Sequence, residues 1–435
     1  MPKRCITLLI DGLSTKKLES FLKRGLLPNI RKLIKRGTYV PTCVSTFPSV
    51  TGPSHVPIFT GKNPFHFGIS GHNQFNRNYR YFDEYLVNYK ALNKKLEKAK
   101  TVYEYYKNSV AIGELVYKGA TTFIRHYTNA LVWLFHNDYD TNRVIRKIIR
   151  SYIHGKDLIV GWFPNSDSFQ HIEQTDKKLI KMMRKVDVLV GKLLNIKQDN
   201  TRIIVCSDHG MEKARKPFRI RKALRQMGLL THFMRFNFDG GCFGQIYFKH
   251  RQKGDFWQRK MSYKKFRNYV QDRADFEVIM KRMAKSKAIE FLMAAKKNTT
   301  YIFSQKGVAK ILKRGKRYMY QLLEGKDPLR YSEDEKAKKL IDRWITKKEC
   351  LALSHHTEYP DAIYQIHGLL QLPNAGELIA TTEKGITWNK IEPRAAHGGL
   401  RRIQMVTPLI VSDKIKSVEK YARTEEIFDY ITYKK

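Results

Sequence analysis

The segment Ser207-Asp208-His209-Gly210 follows an apolar, β-branched run, Arg202-Ile-Ile-Val-Cys206. Such a run reads as a buried strand, and the carboxyl tip of a strand is where α/β proteins build sites. Adjacent Asp and His offer a hard oxygen and a borderline nitrogen, a mixture that suits zinc or a similar divalent ion. The same four residues also make an ordinary turn after a strand. Three further segments bear on the choice. Cys5-Ile-Thr-Leu-Leu-Ile10 is a second apolar strand, and it ends in Asp11-Gly12. Residues 158–163 form a third, followed by Asp167 and His171, whose spacing of four puts both on one face of a helical turn. His397 stands in Arg394-Ala-Ala-His397-Gly398-Gly399, ahead of the apolar run 405–411. The four segments bring three Asp and three His to strand ends or adjoining loops. That set fits two three-ligand metal sites, each with coordination positions open to substrate.

The order of these groups resembles that of the alkaline phosphatase superfamily, and within it the type I phosphodiesterase/nucleotide pyrophosphatase branch. Phe47-Pro-Ser-Val-Thr51-Gly-Pro-Ser-His55, leading to Phe59-Thr60-Gly61 and Pro64, is similar to that branch's Pro-Ser-x-Thr-x-Pro-x-His…Thr-Gly-x-x-Pro stretch. Pro28-Asn29-Ile30, Asp327-Pro328-Leu329 with Tyr331, Tyr359-Pro360-Asp361, and His397-Gly-Gly-Leu-Arg-Arg with Pro408-Leu409 are similar as well. The resemblance implies an alkaline-phosphatase-like core and a hydrolase of phosphate diesters or nucleotide pyrophosphates, working through a covalent phosphothreonine at Thr51. It implies two divalent ions, expected to be zinc with manganese or iron as alternatives. Asp167, His171 and His397 would hold one; Asp11, Asp208 and His209, with Thr51 itself, would hold the other. A phosphomonoesterase using the same residues is the runner-up. Relatives read His-Gly-Ile-x-Gly-Asn after the Thr-Gly, the Asn donating to a phosphate oxygen. Here the text is His66-Phe67-Gly68-Ile69-Ser70-Gly71-His72-Asn73, with the His displaced by one and an extra residue before the Asn. Asn73 is expected to be that donor, with His72 next in line. A sulfatase is excluded, because Cys43-Val-Ser-Thr-Phe47 lacks the Pro and Arg of a formylglycine segment.

The residues themselves agree with that chemistry. A threonine hydroxyl is a poor nucleophile at neutral pH, and metal coordination favours its alkoxide, as an ion lowers the pKa of bound water from about 15.7 to about 7. Thr51 precedes Pro53 and a short helical stretch, so helix N–H dipoles would point at the alkoxide and the phosphate.

The elements that must position these groups alternate between strand and helix. Strands are expected at 5–10, 38–44, 109–113, 158–163, 202–206, 244–248, 361–366, 376–381 and 402–411, with a strand pair within 299–320. Helices are expected at 15–24, 28–36, 101–107, 127–155, 175–195, 217–227 and 424–432. Leu179, Met182, Met183, Val186, Leu189, Val190 and Leu193 recur at helical spacing and form a core face. The alternation predicts an α/β fold, a largely parallel sheet between helical layers. A metallohydrolase core over 1–250 and 350–435 would be interrupted by a basic, mostly helical insertion over 250–350.

The 435 residues carry a formal net charge of +42. Lys94-Lys95, Lys260, Lys264-Lys265, Lys281-Arg282, Lys296-Lys297, Lys313-Arg314 and Lys316-Arg317 recur among aromatics such as Tyr263, Phe266, Tyr269, Tyr318 and Tyr320. Nucleic acid and another polyanion or anionic surface fit this pattern, and the plainer reading is a field that focuses small phosphate substrates together with a lysine-rich compositional bias. A basic binding protein with a vestigial site is the alternative from another class, and the intact ligand set argues against it. Apolar and aromatic content suits a folded chain. No apolar run reaches 18 residues, and the run after Met1 is too short for a signal peptide. Five irregularly spaced cysteines read as free thiols. The expected compartment is the cytoplasm.

Overall fold

Strand β1 (Arg4–Ile10) is buried along its whole length, as a strand covered by helices on both faces must be. It is the centre of an eight-stranded sheet in the computed structural model, which describes all residues except 1–2, 78–80, 126–138, 174, 220–233, 249–279, 281–282, 297, 389–393 and 417. The other strands are β2 (Thr38–Val44), β3 (Ser109–Ile112), β4 (Thr122–Ile124), β5 (Leu158–Phe163), β6 (Thr201–Cys206), β7 (Val406–Val411) and β8 (Tyr421–Arg423). Their order is β8-β2-β7-β6-β1-β5-β3-β4. The pairs β1–β5, β1–β6, β3–β5, β3–β4 and β2–β8 are parallel. Only β7 runs against its neighbours β2 and β6. The sheet is thus largely parallel, as the alternation of elements predicts.

One face of this sheet is packed by α1 (Thr15–Lys23), α2 (Pro28–Arg36), α4 (Tyr139–Ile153) and α6 (Lys177–Ile196). Ile6, Leu8 and Ile10 alternate onto that face and share a core with Leu18, Ile30, Ile148 and the seven apolar residues expected on α6. Helix α3 (Thr51–Thr60) starts seven residues after β2, and α5 (Asn165–Ile172) directly follows β5. These elements form one compact unit, Met1–Phe67, Tyr85–Met211 and Ile403–Lys435.

A second unit comprises Gly68–Glu84 and Glu212–Arg402. It is built on an antiparallel sheet ordered Met234–Asp239, Phe243–Phe248, Leu378–Thr382, Ile289–Lys296, Thr299–Phe303, Gly307–Arg314, Arg317–Gly325 and Ile345–Thr346. The strand pair expected within 299–320 is part of this sheet. Residues 212–250 and 350–402, assigned to the core on sequence, fall in this unit. The body of the basic insertion, with Lys260, Lys264-Lys265 and Lys281-Arg282, lies outside the described residues, as do 127–138 and 220–227. Residues 361–366 are not a strand: Ala362–Leu370 is a helix. All but one of its nine residues are buried, so no polar stripe marks a period of 3.6 in the sequence. The helix expected at 101–107 is a single 3-10 turn, Val102–Tyr105. Among the described residues no helix is long and apolar enough to cross a membrane. All five cysteines are buried and none is in a disulfide.

Candidate metal centre

Strand ends place the centre. Asp11 follows β1, Asp208 and His209 follow β6, and Asp167 lies on α5 just after β5. Because β1 pairs with both β5 and β6, the three loops emerge side by side at the carboxyl edge of the sheet. They are laced together by hydrogen bonds. Gly12, at φ +67°, turns its N–H onto Asp208 Oδ1 at 3.2 Å. Leu13 N–H donates to Ser207 Oγ at 3.0 Å, and Gln170 Nε2 donates to the Gly12 carbonyl at 3.0 Å. The left-handed backbone at Gly12, with Asp167 Oδ1 packed 3.1 Å from where a Cβ would sit, explains why glycine follows the carboxylate.

His209 Nε2 is the hub. It lies 3.3 Å from Asp11 Oδ1, 3.3 Å from Asp208 Oδ2 and 3.2 Å from Thr51 Oγ1. An ion bound tetrahedrally at 2.0–2.2 Å has ligand atoms about 3.3–3.6 Å apart. The ring's Nδ1 stands 3.1 Å from the Gly210 carbonyl, which can only accept, so Nδ1 carries a proton there and Nε2 faces the other three atoms. Asp11 Oδ1 and Asp208 Oδ2 are buried and accept no hydrogen bond. Asp11 Oδ2, by contrast, accepts from Trp162 Nε1 at 3.1 Å. The donor set, its spacing and these two uncompensated oxygens fit a divalent cation. Asp167 and His171 make a second pair, Oδ2 and Nε2 being 3.4 Å apart one turn along α5.

Charge repulsion tells the same story. Burial, then Asp208 and Asp167, hold the Asp11 carboxyl well above the usual range. Burial also raises Asp167, against the pull of His171 and His209. Burial opposes ionisation of Asp208 too, but His209 and His55 overcome it and bring that group down to about 2. Three carboxylates crowded in a buried cavity need positive charge if all are to ionise at neutral pH.

Thr51 opens α3, a ten-residue helix, and is itself buried. His397 lies in the second unit, after the short strand Ala395–Ala396. Its N–H donates to the Gly240 carbonyl at 2.8 Å, and its carbonyl accepts from Cys242 N–H at 2.9 Å. Asn73 opens the strand Asn73–Asn76 of that unit. Its side-chain amide donates to Asp239 Oδ1 at 3.0 Å, and Asp239 Oδ2 accepts the His72 N–H at 2.8 Å.

Sequence reasoning quoted His55 as a motif residue without a role, and gave none to Glu114 and Trp162. His55 lies one helical turn beyond Thr51, with Nδ1 2.5 Å from Glu114 Oε1 and Nε2 3.5 Å from Asp208 Oδ2. Burial opposes a charge on this ring, but Glu114 and Asp208 outweigh it and lift its pKa to about 9. Glu114 had a readable signal. It closes the strand 109–113 as Asp11 closes β1, an apolar run ending in a carboxylate.

Residues 5–398 match the family model for type I phosphodiesterase/nucleotide pyrophosphatase. An uncharacterised pyrophosphatase/phosphodiesterase of Schizosaccharomyces pombe is 37% identical over 70 residues, a stretch spanning 16% of this chain and 14% of that protein. Among solved structures, phosphonoacetate hydrolase from Sinorhizobium meliloti 1021, in complex with phosphonoacetate, superposes with a TM-score of 0.61 at 15% identity, covering 100% of this chain and 95% of the other. Murine ectonucleotide pyrophosphatase/phosphodiesterase 5, in an inactive form in complex with AMP, gives 0.56 at 14% identity, covering 99% and 95%. At these identities the likeness is one of fold.

Proposed function

The chain belongs to the type I phosphodiesterase/nucleotide pyrophosphatase family, and on that premise we propose that it hydrolyses phosphate diesters or nucleotide pyrophosphates with two divalent ions. The observation that carries this reading is the placement of Thr51 Oγ1 3.2 Å from His209 Nε2, within the same set of atoms as Asp11 Oδ1 and Asp208 Oδ2. Asp11, Thr51, Asp208 and His209 would hold one ion. Asp167, His171 and, on the motif alone, His397 would hold the other. Zinc suits the donor set best, with manganese or iron as alternatives. Bound there, the ions would supply positive charge that favours the threonine alkoxide and offsets charge on the phosphate oxygens.

The chain's own residues do the rest. Thr51 Oγ1 attacks phosphorus, the first alcohol or phosphate leaves with the hydroxyl's proton, and the remaining monoester group is held on Thr51 as a covalent phosphothreonine ester. Water then displaces Thr51 from phosphorus, releasing the phosphate monoester and returning the hydroxyl its proton. The N-terminal N–H groups of α3 face the developing negative charge. Asn73 is assigned to a phosphate oxygen by the motif, with His72 as the alternative.

The family supports the diester over the monoester, and AMP in the ectonucleotide pyrophosphatase/phosphodiesterase structure supports a nucleotide-type substrate. Phosphomonoester hydrolysis by the same residues is the second reading. The basic surface is assigned to capture of anionic substrate, a polyanion such as nucleic acid being the more demanding version of that role.

The test is an assay of zinc- or manganese-loaded protein on bis-p-nitrophenyl phosphate against p-nitrophenyl phosphate, with metal analysis of Asp208→Asn and His397→Ala. The proposal expects a diester preference and joint loss of ion and activity in both variants. Full two-ion occupancy in either variant would contradict the ligand assignment, and a monoester preference would favour the second reading.

A further inference from the structure

We infer that His55 and Glu114 form a buried positioning pair that fixes the Asp208 carboxylate for the ion beside Thr51. The inference rests on the two-ion reading above and deepens it.

His55 and Glu114 are both fully buried, as is Asp208. Burying an ion pair costs several kcal/mol per charge unless the geometry is good. Here it is good on the Glu114 side. Oε1 takes the Nδ1 contact at 2.5 Å and also accepts the backbone N–H groups of Leu115 at 2.8 Å and Val116 at 3.2 Å. The carboxylate is therefore anchored to its own loop, just past β3. The imidazole is anchored in turn. Its ring meets the Trp162 ring edge-on, centroids 5.2 Å apart at 88°, and Trp162 itself donates to Asp11. The remaining nitrogen, Nε2, stands 3.5 Å from Asp208 Oδ2.

His55 is itself a chemically competent ligand, and with Asp11 and Asp208 it makes a three-residue group able to hold an ion. The geometry favours the other role. Asp11, Asp208, His209 and Thr51 already supply four vertices, all within 3.2–3.3 Å of one hub atom or being that hub. His55 meets that set at Asp208, its Nε2 3.5 Å from Oδ2, while its Nδ1 is taken by Glu114. A carboxylate oxygen has a second lone pair, and an N–H from His55 can occupy it while the first faces the ion. Gly12 N–H meanwhile holds Oδ1 at 3.2 Å, and Oδ2 has the His55 nitrogen 3.5 Å away. Thr51 and His55 are one turn apart on α3, so the helix that presents the nucleophile also presents the group that orients its metal ligand.

The test separates ligand from positioner by chelator-competition titration of zinc into wild type, His55→Ala, His55→Gln and Glu114→Gln, with KM and kcat at saturating zinc. Gln keeps an N–H to offer Asp208 and lacks the imidazole. Glu114→Gln opens no cavity, so it probes the pair even if His55→Ala fails to fold. Loss of the orienting contact should weaken the ion beside Thr51 by about 10–100-fold in His55→Ala and Glu114→Gln, with His55→Gln close to wild type. At saturating zinc KM should be unchanged and kcat largely restored. If His55→Gln loses the ion outright, His55 is a ligand and the inference falls. If Glu114→Gln and any folded His55→Ala bind zinc as tightly as wild type, the pair is merely part of the core and the inference falls. A wild type that takes up no zinc would overturn the two-ion reading itself, a distinct outcome.

Discussion

Thr51 and Asp11 sit a few ångströms apart, yet their loss should have opposite signatures. Thr51→Ala removes the nucleophile and spares Asp11, Asp208 and His209, so metal content should persist while turnover is abolished. Residual activity within about tenfold of wild type would reject Thr51 and move attention to Ser49 or Ser54. Asp11→Asn should release the ion and stabilise the ion-free protein. Folding raises the Asp11 pKa, through burial first and then Asp208 and Asp167. A carboxyl raised in this way favours the native state below its unfolded pKa of about 3.9 and loses that advantage as pH climbs through the folded value. Chelated wild type should therefore weaken between acid and neutral pH more steeply than chelated Asp11→Asn. Denaturation midpoints from about pH 5 to 8 decide this, and parallel profiles would refute the sign argued here.

Helix α2 shows how an element is held by another element. Leu27, its N-cap residue, offers no side-chain hydrogen bond. Asp187 on α6 supplies the cap instead, accepting from Ile30 N–H at 2.8 Å, Asn29 N–H at 3.3 Å and Asn29 Nδ2 at 2.9 Å. Asp187→Ala should cost about 1–3 kcal/mol in urea unfolding, because it strands two helix-start amides. Pro28 at the first helical position made the start of α2 legible in the sequence, whereas its cap, 159 residues after Pro28 and on another helix, was not. The same division runs through the centre. Strands that end in Asp announce Asp11 and Asp208, because local pattern and chemistry coincide. The His55–Glu114 contact joins residues 59 apart and leaves no periodic trace. The helix Ala362–Leu370 was misread because burial on all sides erases the periodicity that distinguishes it from a strand.

At the scale of the molecule the charge is organised as well as large. The solvent side of α1, α2, α4 and α6 exposes cations such as Lys16, Lys32, Arg146, Lys177, Lys181 and Arg184, while Glu19 is the only exposed acid among the described side chains of these four helices. In the second unit the hairpin turn between Gly307–Arg314 and Arg317–Gly325 carries exposed Lys313, Arg314, Lys316 and Arg317. If such surfaces steer small anionic substrates, physiological salt should lower kcat/KM and leave kcat nearly unchanged. If they grip a polymer, log K should fall with log salt by about 0.9 per phosphate contact. Charge reversal at the four hairpin residues should then cut polymer binding while sparing a small chromogenic diester. A flat salt response for both would leave the charge without a part in substrate capture.

The strand order carries a consequence for how this chain is made. β1 is made before every other strand of its sheet, yet both of its partners, β5 and β6, follow roughly 150 and 190 residues later. β7, the antiparallel strand between β2 and β6, appears only after residue 405. The N-terminal strand therefore waits with two apolar faces and two open edges, the state in which a nascent chain is most prone to wrong pairing. The second unit, complete in sequence by residue 402, has all its parts before the first can close its sheet. During synthesis the centre is thus among the last features to assemble. Its nucleophile and Asp11 have long been made, but β7, which joins the strand leading to the nucleophile to β6, is not made until residues 406–411.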